Sequence, residues 1–437
     1  MRRVVVVGGG VAGLTLAERL LADAEDDLQL TLLERGSSVG GLARTFSHSG
    51  FLFDIGPHRF HTMDHEVMGY VNRVLDHRSI TIPRASSVYL LGSYHTWPLT
   101  LKAVLRLPPR VLAPSFLDLF RGSGRGVAAS FADHIRRRYG PNLYNFFFSG
   151  YTRKFTGLDA ECLHSDWAEA GVNRAVIDKR VKADSLLSLL GGLLIPRPVS
   201  TSFIYPSEGG MQLFSDILAE RIESLGGTLR TGCEADGVST VNGTVNGVSV
   251  AGGGELAADD VYWSAPLSIL YPDSGLRFMN TVLFCVGLSS PQGNGYQWCY
   301  FGQEGISFSR TTIPGNFATY AVPEGCDSVT AEITCSPEDR VWREPGALCG
   351  RVVADLEKVG ALDRKDILFV RPLRIRNTYP VYDLEYRNRL EKLEAPSGLH
   401  LLGRCGSFWY NNMDHSIAQA IAMANGEDTR RDFWKES

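Results

Sequence analysis

A strand, a glycine turn and a helix at the start of the chain constrain the fold more than any other feature. Residues 4–20 read VVVVGGGVAGLTLAERL, in which four valines are typical of a strand buried on both faces and a helix follows from Val11. Gly8, Gly10 and Gly13 have the G-x-G-x-x-G spacing, although the triplet alone also fits a chance glycine-rich turn. A turn this tight needs residues without Cβ, so that N–H groups at the helix start can approach a pyrophosphate.

A second predicted strand supplies the acidic residue that this arrangement needs. LQLTLLER (28–35) contains Glu34, about twenty residues beyond the last glycine. A carboxylate at that position accepts hydrogen bonds from the ribose 2′- and 3′-hydroxyls and repels a 2′-phosphate. The alternative is that Glu34 only begins a solvated loop. The order of strand, turn, helix, strand and acid favours an ADP-containing dinucleotide.

Size and composition indicate a globular enzyme. The chain has 437 residues, enough for two or three domains, and its net charge of −4 gives no electrostatic reason to expect nucleic acid. The eight cysteines are scattered, without a C-x-x-C pair or a cluster of zinc-ligand spacing. We therefore expect free thiols in a reducing compartment and no metal.

No segment predicts secretion or membrane insertion. The first residues lead directly into the dinucleotide strand, and no apolar run reaches the ~18 residues of a transmembrane helix. The most apolar stretch, LLSLLGGLLIP (186–196), is expected to form a buried helix or a pocket wall, with a membrane-surface contact as the alternative. These observations predict a cytoplasmic protein.

Pattern changes along the chain predict an α/β protein whose nucleotide domain is interrupted twice. Helical patterns broken by Pro and Gly fill much of the second segment, and alternating Val, Phe, Tyr and Thr fill the fourth. Asn-Gly pairs at 242–243 and 246–247 indicate tight turns. Because pockets form where domains meet, we expect the two insertions to supply the substrate site. The predicted division is a discontinuous nucleotide domain (1–80, 201–275 and 373–437), a mostly helical insertion or lid (81–200) and an antiparallel-sheet substrate domain (276–372).

Several motifs carry a resemblance to a known superfamily. The opening GGGVAGL, ER, VGGLARTF and GFLFDIGPHRFHT resembles the flavoproteins that include UDP-galactopyranose mutases, protoporphyrinogen oxidases and amine oxidases. The resemblance implies FAD as the cofactor and a Rossmann-like FAD-binding domain of the GR2 type. The segments most similar to the mutase branch are GPHRFHT (56–62), YNFFFSGYTRKFTG (144–157), YPSEGGMQLF (205–214), YPVYD (379–383) and GRCGSFWYNNMDHSI (403–417).

The resemblance implies a set of cofactor contacts. Gly40-Gly41 and the basic residue after them line the FAD pyrophosphate in this superfamily, and Arg44 with Thr45 matches that role. A helix predicted to begin near Asp414 would point its N–H groups at flavin N1 and O2, unless Asp414 only caps the helix. The implied FAD contacts are Gly8, Gly10, Gly13, Glu34, Arg35, Gly41, Leu42, Arg44, Gly56, Pro57, His58, Ala235, Arg404, Asn412, Met413 and Asp414.

Catalytic and substrate-binding candidates follow from the same motifs. His58 and His61 lie in the loop expected to cross the flavin face, where a histidine serves as a general base, as a donor to a flavin carbonyl, or as a packed polar residue. Tyr379 matches the YP motif and is the third catalytic candidate. Arginines facing a cleft suit bidentate binding of phosphate or carboxylate. The substrate-binding candidates are Tyr151, Arg153, Phe155, Arg174, Arg310, Arg374, Arg376, Tyr382 and Tyr410.

Two departures from the mutases favour oxidation as the reaction. The mutases carry a uracil-stacking tryptophan where this chain has Phe155-Thr156, and the middle section is more similar to the oxidases. We therefore predict an FAD-dependent oxidoreductase that transfers a hydride from a small polar metabolite to flavin N5. The alternative is a UDP-galactopyranose mutase-like enzyme that exchanges the pyranose and furanose rings of a nucleotide sugar with reduced FAD as the nucleophile. A catalytically idle FAD-binding protein, an NAD dehydrogenase and a homo-oligomer stay open.

Overall fold

The structure, a computed structural model, describes residues 1–24, 27–97, 109–118, 128–168 and 202–427. The strands are β1 (Arg2–Val7), β2 (Leu28–Leu33), β3 (Thr45–His48), β4 (Phe51–Asp54), β5 (Ser79–Pro83), β6 (Ser86–Leu90), β7 (Ser93–Thr96), β8 (Ser202–Pro206), β9 (Thr228–Arg230), β10 (Ala235–Val241), β11 (Thr244–Val250), β12 (Gly254–Ala257), β13 (Asp260–Trp263), β14 (Phe278–Leu288), β15 (Trp298–Phe301), β16 (Arg310–Thr312), β17 (Asp327–Cys335), β18 (Ile367–Pro380) and β19 (Leu399–Leu401).

Helices of varied length connect these strands. The α-helices are α1 (Val11–Ala22), α2 (His65–Leu75), α3 (Pro109–Asp118), α4 (Phe131–Tyr139), α5 (Pro141–Leu143), α6 (Gly150–Thr156), α7 (Gln212–Ser224), α8 (Leu267–Leu270), α9 (Arg340–Arg343), α10 (Cys349–Lys358), α11 (Tyr386–Glu391), α12 (Gly403–Gly406) and α13 (Met413–Ala424). Residues Tyr144–Ser149, between α5 and α6, form a π-helical segment.

A parallel sheet of order β19–β13–β1–β2–β9 forms the centre of the nucleotide half. Every neighbouring pair of its strands is parallel, and β1 pairs with both β2 and β13. Val4 and Val6 pack against helices, whereas Val5 and Val7 belong to a core cluster on the opposite face, as the two-residue period of a strand requires. The predicted α/β fold with a parallel sheet is therefore confirmed.

Different layers cover the two faces of this sheet. On one face α1 packs against α7 and α13, within the core cluster that includes Val4 and Val6. On the other face lies the antiparallel sheet β10–β11–β12, whose Val245 and Val248 share a cluster with Val5. Because both faces are covered, the strands of the parallel sheet have the continuous apolar sequences that revealed them.

The second large sheet has the order β18–β14–β17–β16–β15–β6–β7. Its strands pair antiparallel except for β6 and β15, which are parallel. The sheet is therefore built from more than residues 276–372, since β6 and β7 come from the segment predicted to be mostly helical. Pairing of Ser86 with Trp298 is a long-range contact that a local pattern does not reveal.

Local turn chemistry agrees with the sequence at one of the two Asn-Gly pairs. Asn242 and Gly243 have φ of 52° and 76° and turn the chain between β10 and β11. Asn246-Gly247 lies instead inside β11, where the register shifts.

Three further points bear on the predictions. No helix among the described residues is long and apolar enough to cross a membrane. All eight cysteines are free thiols. The stretch 186–196 and the candidate Arg174 lie outside the described residues.

Candidate functional site

A cavity of about 430 Å³ lies at the carboxyl ends of the parallel strands, bordered also by β18, α12 and the start of α13. The predicted residues that line it are Gly8, Gly10, Glu34, Arg35, Gly41, Leu42, Arg44, His58, Ala235, Arg374, Arg376, Arg404, Asn412 and Met413. The described candidates that do not line it are Gly13, Gly56, Pro57, His61, Tyr151, Arg153, Phe155, Arg310, Tyr379, Tyr382, Tyr410 and Asp414.

The first glycine turn brings the start of α1 close to β1. A Cβ on Gly13 would lie 2.1 Å from the carbonyl oxygen of Gly8, so only glycine permits this approach. Gly10 precedes the helix without a side-chain cap, and Val11 and Ala12 line the cavity. The first-turn N–H groups have no acceptors within the helix, and the helix dipole adds a partial positive charge. This end of the cavity suits a diphosphate.

The second glycine pair packs directly on the first. The N–H of Gly40 donates to the carbonyl of Gly9 at 2.7 Å, and a Cβ on Gly41 would lie 2.9 Å from Gly10 Cα. Arg44 lies beside this turn and donates from Nε to the carbonyl of Gly41 at 3.1 Å. Two loops and one guanidinium therefore border the same part of the cavity.

Glu34 follows β2 directly and holds the turn together. Its carboxylate accepts from the N–H of Gly9 at 2.8 Å and from the N–H of Gly36 at 2.6 Å. A carboxylate offers about four lone-pair sites, so this one can accept further hydrogen bonds from a ribose. Arg35, next to it, forms a 3.4 Å ion pair with Glu234.

Two polar atoms without hydrogen-bond partners indicate that the cavity suits a ligand whose ring has polar atoms at its edge. His58 Nδ1 and Asn411 Nδ2 are buried without a hydrogen-bond partner among the described residues, and both residues line the cavity. Buried polar groups are normally satisfied, so a ligand with polar atoms at this point would complete them. Together with the diphosphate-binding turn and Glu34, the residues present fit FAD.

Arg404 forms the wall between the cavity and a cluster of tyrosines. It donates from Nη1 to the carbonyl of Thr378 at 3.0 Å and from Nη2 to the carbonyl of Asn411 at 2.5 Å. Its guanidinium carbon lies 5.2 Å from the ring centroid of Tyr379 and 5.4 Å from that of Tyr410. Carbonyl oxygens and aromatic faces thus hold its charge in place.

The closing helix begins at Met413, one residue before the position predicted. Asn412 and His415 form a reciprocal capping box, in which the Asn412 side chain accepts from the N–H of His415. Asn412 and Met413 line the cavity, whereas Asp414 lies off it, with its carboxylate 3.4 Å from His415 Nδ1. The helix therefore presents its amino end, and not the Asp414 side chain, to the cavity.

The two candidate histidines have different surroundings. Burial and the positive charges of Arg404, Arg310 and Arg59 lower the pKa of His58 to about 3, so this ring is neutral at physiological pH. Burial also lowers the pKa of His61, whose Nδ1 lies 3.3 Å from the carbonyl oxygen of Ser202. Of the two histidines, His58 lines the cavity and His61 does not.

Arg310 is paired with a carboxylate that the sequence analysis missed. Register across β15, β16 and β17 places Tyr300 opposite Arg310 and Arg310 opposite Glu332. Arg310 donates to both Glu332 oxygens, at 2.8 and 2.6 Å, and to the hydroxyl of Tyr379 at 3.3 Å. Its charge is therefore neutralised within the protein. A glutamate inside the apolar alternation of DSVTAEITC was the available signal.

Two of the three remaining described arginine candidates lie at the cavity, and the third does not. Arg374 and Arg376 line the cavity from β18. Arg153 is exposed and forms a 2.8 Å ion pair with Asp159.

The aromatic candidates form a buried cluster. Phe155 packs on Tyr379 at 4.8 Å between ring centroids, and on Tyr151 at 5.8 Å. The hydroxyl of Tyr382 accepts from the N–H of Tyr410 at 2.7 Å.

Comparison with known proteins identifies the family of the chain. The family model described as flavin containing amine oxidoreductase matches residues 11–282. Over 166 residues the chain is 26% identical to a dTDP-fucopyranose mutase from Escherichia coli, a match covering 36% of this chain and 43% of that protein. Over 132 residues it is 29% identical to a coproporphyrinogen III oxidase from Bacillus subtilis (strain 168), covering 29% and 28%. The matches span less than half the length of either relative.

Similarity of the fold extends over nearly the whole chain. A crystal structure of reduced UDP-galactopyranose mutase superposes with a TM-score of 0.83 at 21% identity, covering 97% of this chain and 95% of that one. At this identity the match establishes the fold alone. Since the family model covers more than half of the chain, the protein belongs to the flavin-containing amine oxidoreductase family and uses FAD as its cofactor.

Proposed function

We propose that the protein is an FAD-dependent oxidoreductase that removes a hydride from a carbon next to nitrogen or oxygen in a small polar metabolite. The burial of Phe155 is the observation that favours oxidation over the mutase reaction. By resemblance, Phe155-Thr156 stands where the mutases carry their uracil-stacking tryptophan. The Phe155 side chain is 7% exposed and packs against Tyr151, Trp167 and Tyr379. A ring so enclosed offers no open face for a nucleobase.

We further propose that residues 1–80, 201–275 and 373–437 form one FAD-binding domain of the GR2 type, and that the two insertions supply the substrate site. Every residue that lines the cavity belongs to one of the three FAD segments. In contrast, Tyr300, Arg310 and Glu332 on the second sheet belong to the insertion 276–372. This separation supports a division of labour between cofactor and substrate residues.

The bound FAD would supply the hydride acceptor, and the chain's own residues would hold and tune it. The first turn of α1 and the Gly40-Gly41 turn would hold the diphosphate, and Glu34 would accept from the ribose hydroxyls. The amino end of α13, at Asn412 and Met413, would stabilise negative charge in the adjoining part of the cavity.

His58 and Tyr379 would position groups near the reacting atoms. Because the pKa of His58 is about 3, its ring is neutral at neutral pH and cannot act as a cationic acid. We propose that it makes a hydrogen bond as a neutral ring. The Tyr379 hydroxyl accepts from Arg310 and is thereby held in one orientation. His61 Nδ1 lies 3.3 Å from the carbonyl oxygen of Ser202, so we propose a structural role for this ring and none in hydride transfer.

A redox-neutral sugar mutase is the second candidate. The curated relative named dTDP-fucopyranose mutase favours it. This candidate requires substrate conversion only by the reduced enzyme.

Anaerobic stopped-flow mixing of the oxidised holoenzyme with amines, hydroxy acids and nucleotide sugars tests the two candidates. An oxidoreductase substrate bleaches the oxidised-flavin absorbance band. Conversion of a nucleotide sugar only after dithionite reduction, without net bleaching, would replace the oxidoreductase proposal by the mutase.

A matched pair of variants links the reaction to the site. Tyr379→Phe keeps the ring but removes the hydroxyl that Arg310 contacts, so we expect flavin reduction to slow at least about tenfold. Tyr271→Phe removes a hydroxyl that donates to the carbonyl of Glu394 away from the cavity, and it should leave the rate unchanged.

A further inference from the structure

Two arginines on one tryptophan ring have no acidic partner in the described structure. The guanidinium carbon of Arg59 lies 4.4 Å from the Trp298 ring centroid and 4.9 Å from that of Phe203, and that of Arg84 lies 5.8 Å from Trp298. Arg59 donates to the carbonyl of Pro57 at 2.7 Å. Neither arginine forms an ion pair with any described carboxylate, in contrast to Arg310.

Strand register places these groups on one side of the second sheet. Trp298 pairs with Ser86, and Arg84, two residues before Ser86, donates from Nε to its hydroxyl at 2.8 Å. Tyr300, two residues after Trp298, lies on the same face because side chains alternate along a strand. Tyr300 stands opposite Arg310, so this face continues to the Arg310–Glu332 pair.

The Arg59 guanidinium connects this face to the flavin end of the cavity. Arg59 follows His58, which lines the cavity, and its charge is close enough to contribute to the lowered pKa of His58. The cations therefore lie beside the place where a substrate would meet the cofactor.

An unused donor lies in the tryptophan ring beneath the two cations. Trp298 Nε1 is buried without a hydrogen-bond partner among the described residues. Asp414 is the negative group that acts on Arg59 and His61, and it forms no ion pair with either of them. Two positive charges and one unsatisfied donor thus lie at the same Trp298 ring.

A half-buried guanidinium without an ion-pair partner is unfavourable, since its desolvation is only partly repaid by attraction. Burial lowers the pKa of Arg59 to about 10, and the charges of Arg84 and Arg310 act in the same direction. An arginine with this pKa is still positively charged at neutral pH. It would therefore attract an anion that enters the site.

We infer that Arg59 and Arg84 bind an anionic group of the substrate, a carboxylate or a phosphate, beside the His58 end of the cavity. The planar guanidinium fork matches the oxygens of either group. The inference rests on the proposed function for the reaction that follows binding, and it narrows the substrate class to anionic metabolites.

Titration of the oxidised, FAD-loaded enzyme with inorganic phosphate and, separately, with acetate tests this site without turnover. Isothermal titration calorimetry and tryptophan fluorescence report binding. Saturable binding of phosphate alone would identify a phosphate-bearing substrate, and saturable binding of acetate alone would identify a carboxylate-bearing one. Saturable binding of both supports the site as a general anion site, and saturable binding of neither overturns the inference.

Variants localise the binding. Arg59→Met and Arg84→Gln should each weaken anion binding at least about tenfold, while FAD content stays at the wild-type level. Arg59→Lys keeps the charge, so it should retain part of the affinity, and together with Arg84→Gln it decides the test if Arg59→Met does not fold. Arg136→Met removes a guanidinium that also covers a tyrosine ring, at 4.2 Å from Tyr144, but is paired with Glu161.

The control should bind anions as the wild type does. Unchanged affinity in both Arg59→Met and Arg84→Gln would overturn the inference, whatever the flavin-bleaching experiment shows. Only the flavin-bleaching experiment can contradict the oxidoreductase proposal, and only the anion titrations can contradict the anion site. The two failures are therefore distinguishable.

Discussion

At the scale of single residues, the Arg310–Glu332 pair is expected to contribute to stability through its burial. Their side chains are 15% and 6% exposed, so Glu332→Gln would leave a buried guanidinium without its counter-charge. We expect a loss of about 3–5 kcal/mol in the free energy of unfolding, measured by chemical denaturation. Glu344→Gln, which breaks the exposed pair with Arg340, should change it by less than about 0.5 kcal/mol. Equal effects of the two substitutions would contradict this argument.

His58 provides a second prediction at this scale, on pH. Its folded pKa of about 3 lies below the ordinary value of 6.5, so the unfolded chain takes up the proton first. The stability that the neutral ring contributes is complete above pH 6.5 and is lost as the pH falls toward 3. Between pH 6.5 and 5 this amounts to about 2 kcal/mol.

The matching measurement is denaturation at a series of pH values. His58→Asn should remove that part of the pH dependence, whereas the same substitution at the fully exposed His77 should not. A wild-type slope that survives in His58→Asn would contradict the assignment.

At the scale of elements, replacing glycine by alanine should destabilise the protein in one helix and stabilise it in another. Ala at position 13 in α1 would place a Cβ 2.1 Å from the carbonyl oxygen of Gly8, so we expect a loss of about 3 kcal/mol or more in stability, together with lost FAD. Ala at position 350 in α10 meets nothing within 4 Å, and it should stabilise by about 0.5–1 kcal/mol through helix propensity. Denaturation and flavin absorbance measure both effects, and a harmless Gly13→Ala would show that the turn is not close-packed.

At the scale of the whole molecule, FAD is expected to join segments that are distant in sequence. The cavity is lined by residues from near both ends and from the middle of the chain, such as Gly10, Ala235 and Met413. A ligand that binds only the folded state stabilises it by about 2.7 kcal/mol at one hundred times its dissociation constant. Removal of FAD should therefore lower the thermal midpoint, and added FAD should restore it. Identical midpoints for apoprotein and holoprotein would contradict this view of the cavity.

The same three scales separate what could be predicted from what could not. Gly8, Gly13 and Glu34 could be predicted from the sequence because the strand, the turn and the acidic residue follow one another closely in the chain. Their spacing alone identifies the motif. The start of α13 was predicted to within one residue for the same reason. The contact of Asp414 with the flavin stays a prediction, whereas the structure shows that Asn412 caps the helix and lines the cavity.

By itself the sequence determined the parallel α/β sheet, the dinucleotide turn and, through resemblance, the flavoprotein family, since apolar periodicity and close-packed glycines are local properties. Only the tertiary structure decided that Arg310 is neutralised by Glu332, that β6 and β7 extend the second sheet, and that Arg59 and Arg84 meet on Trp298. These contacts depend on strand register and on the packing of distant segments. A pairing of that kind joins residues far apart in the chain, so no local pattern encodes it.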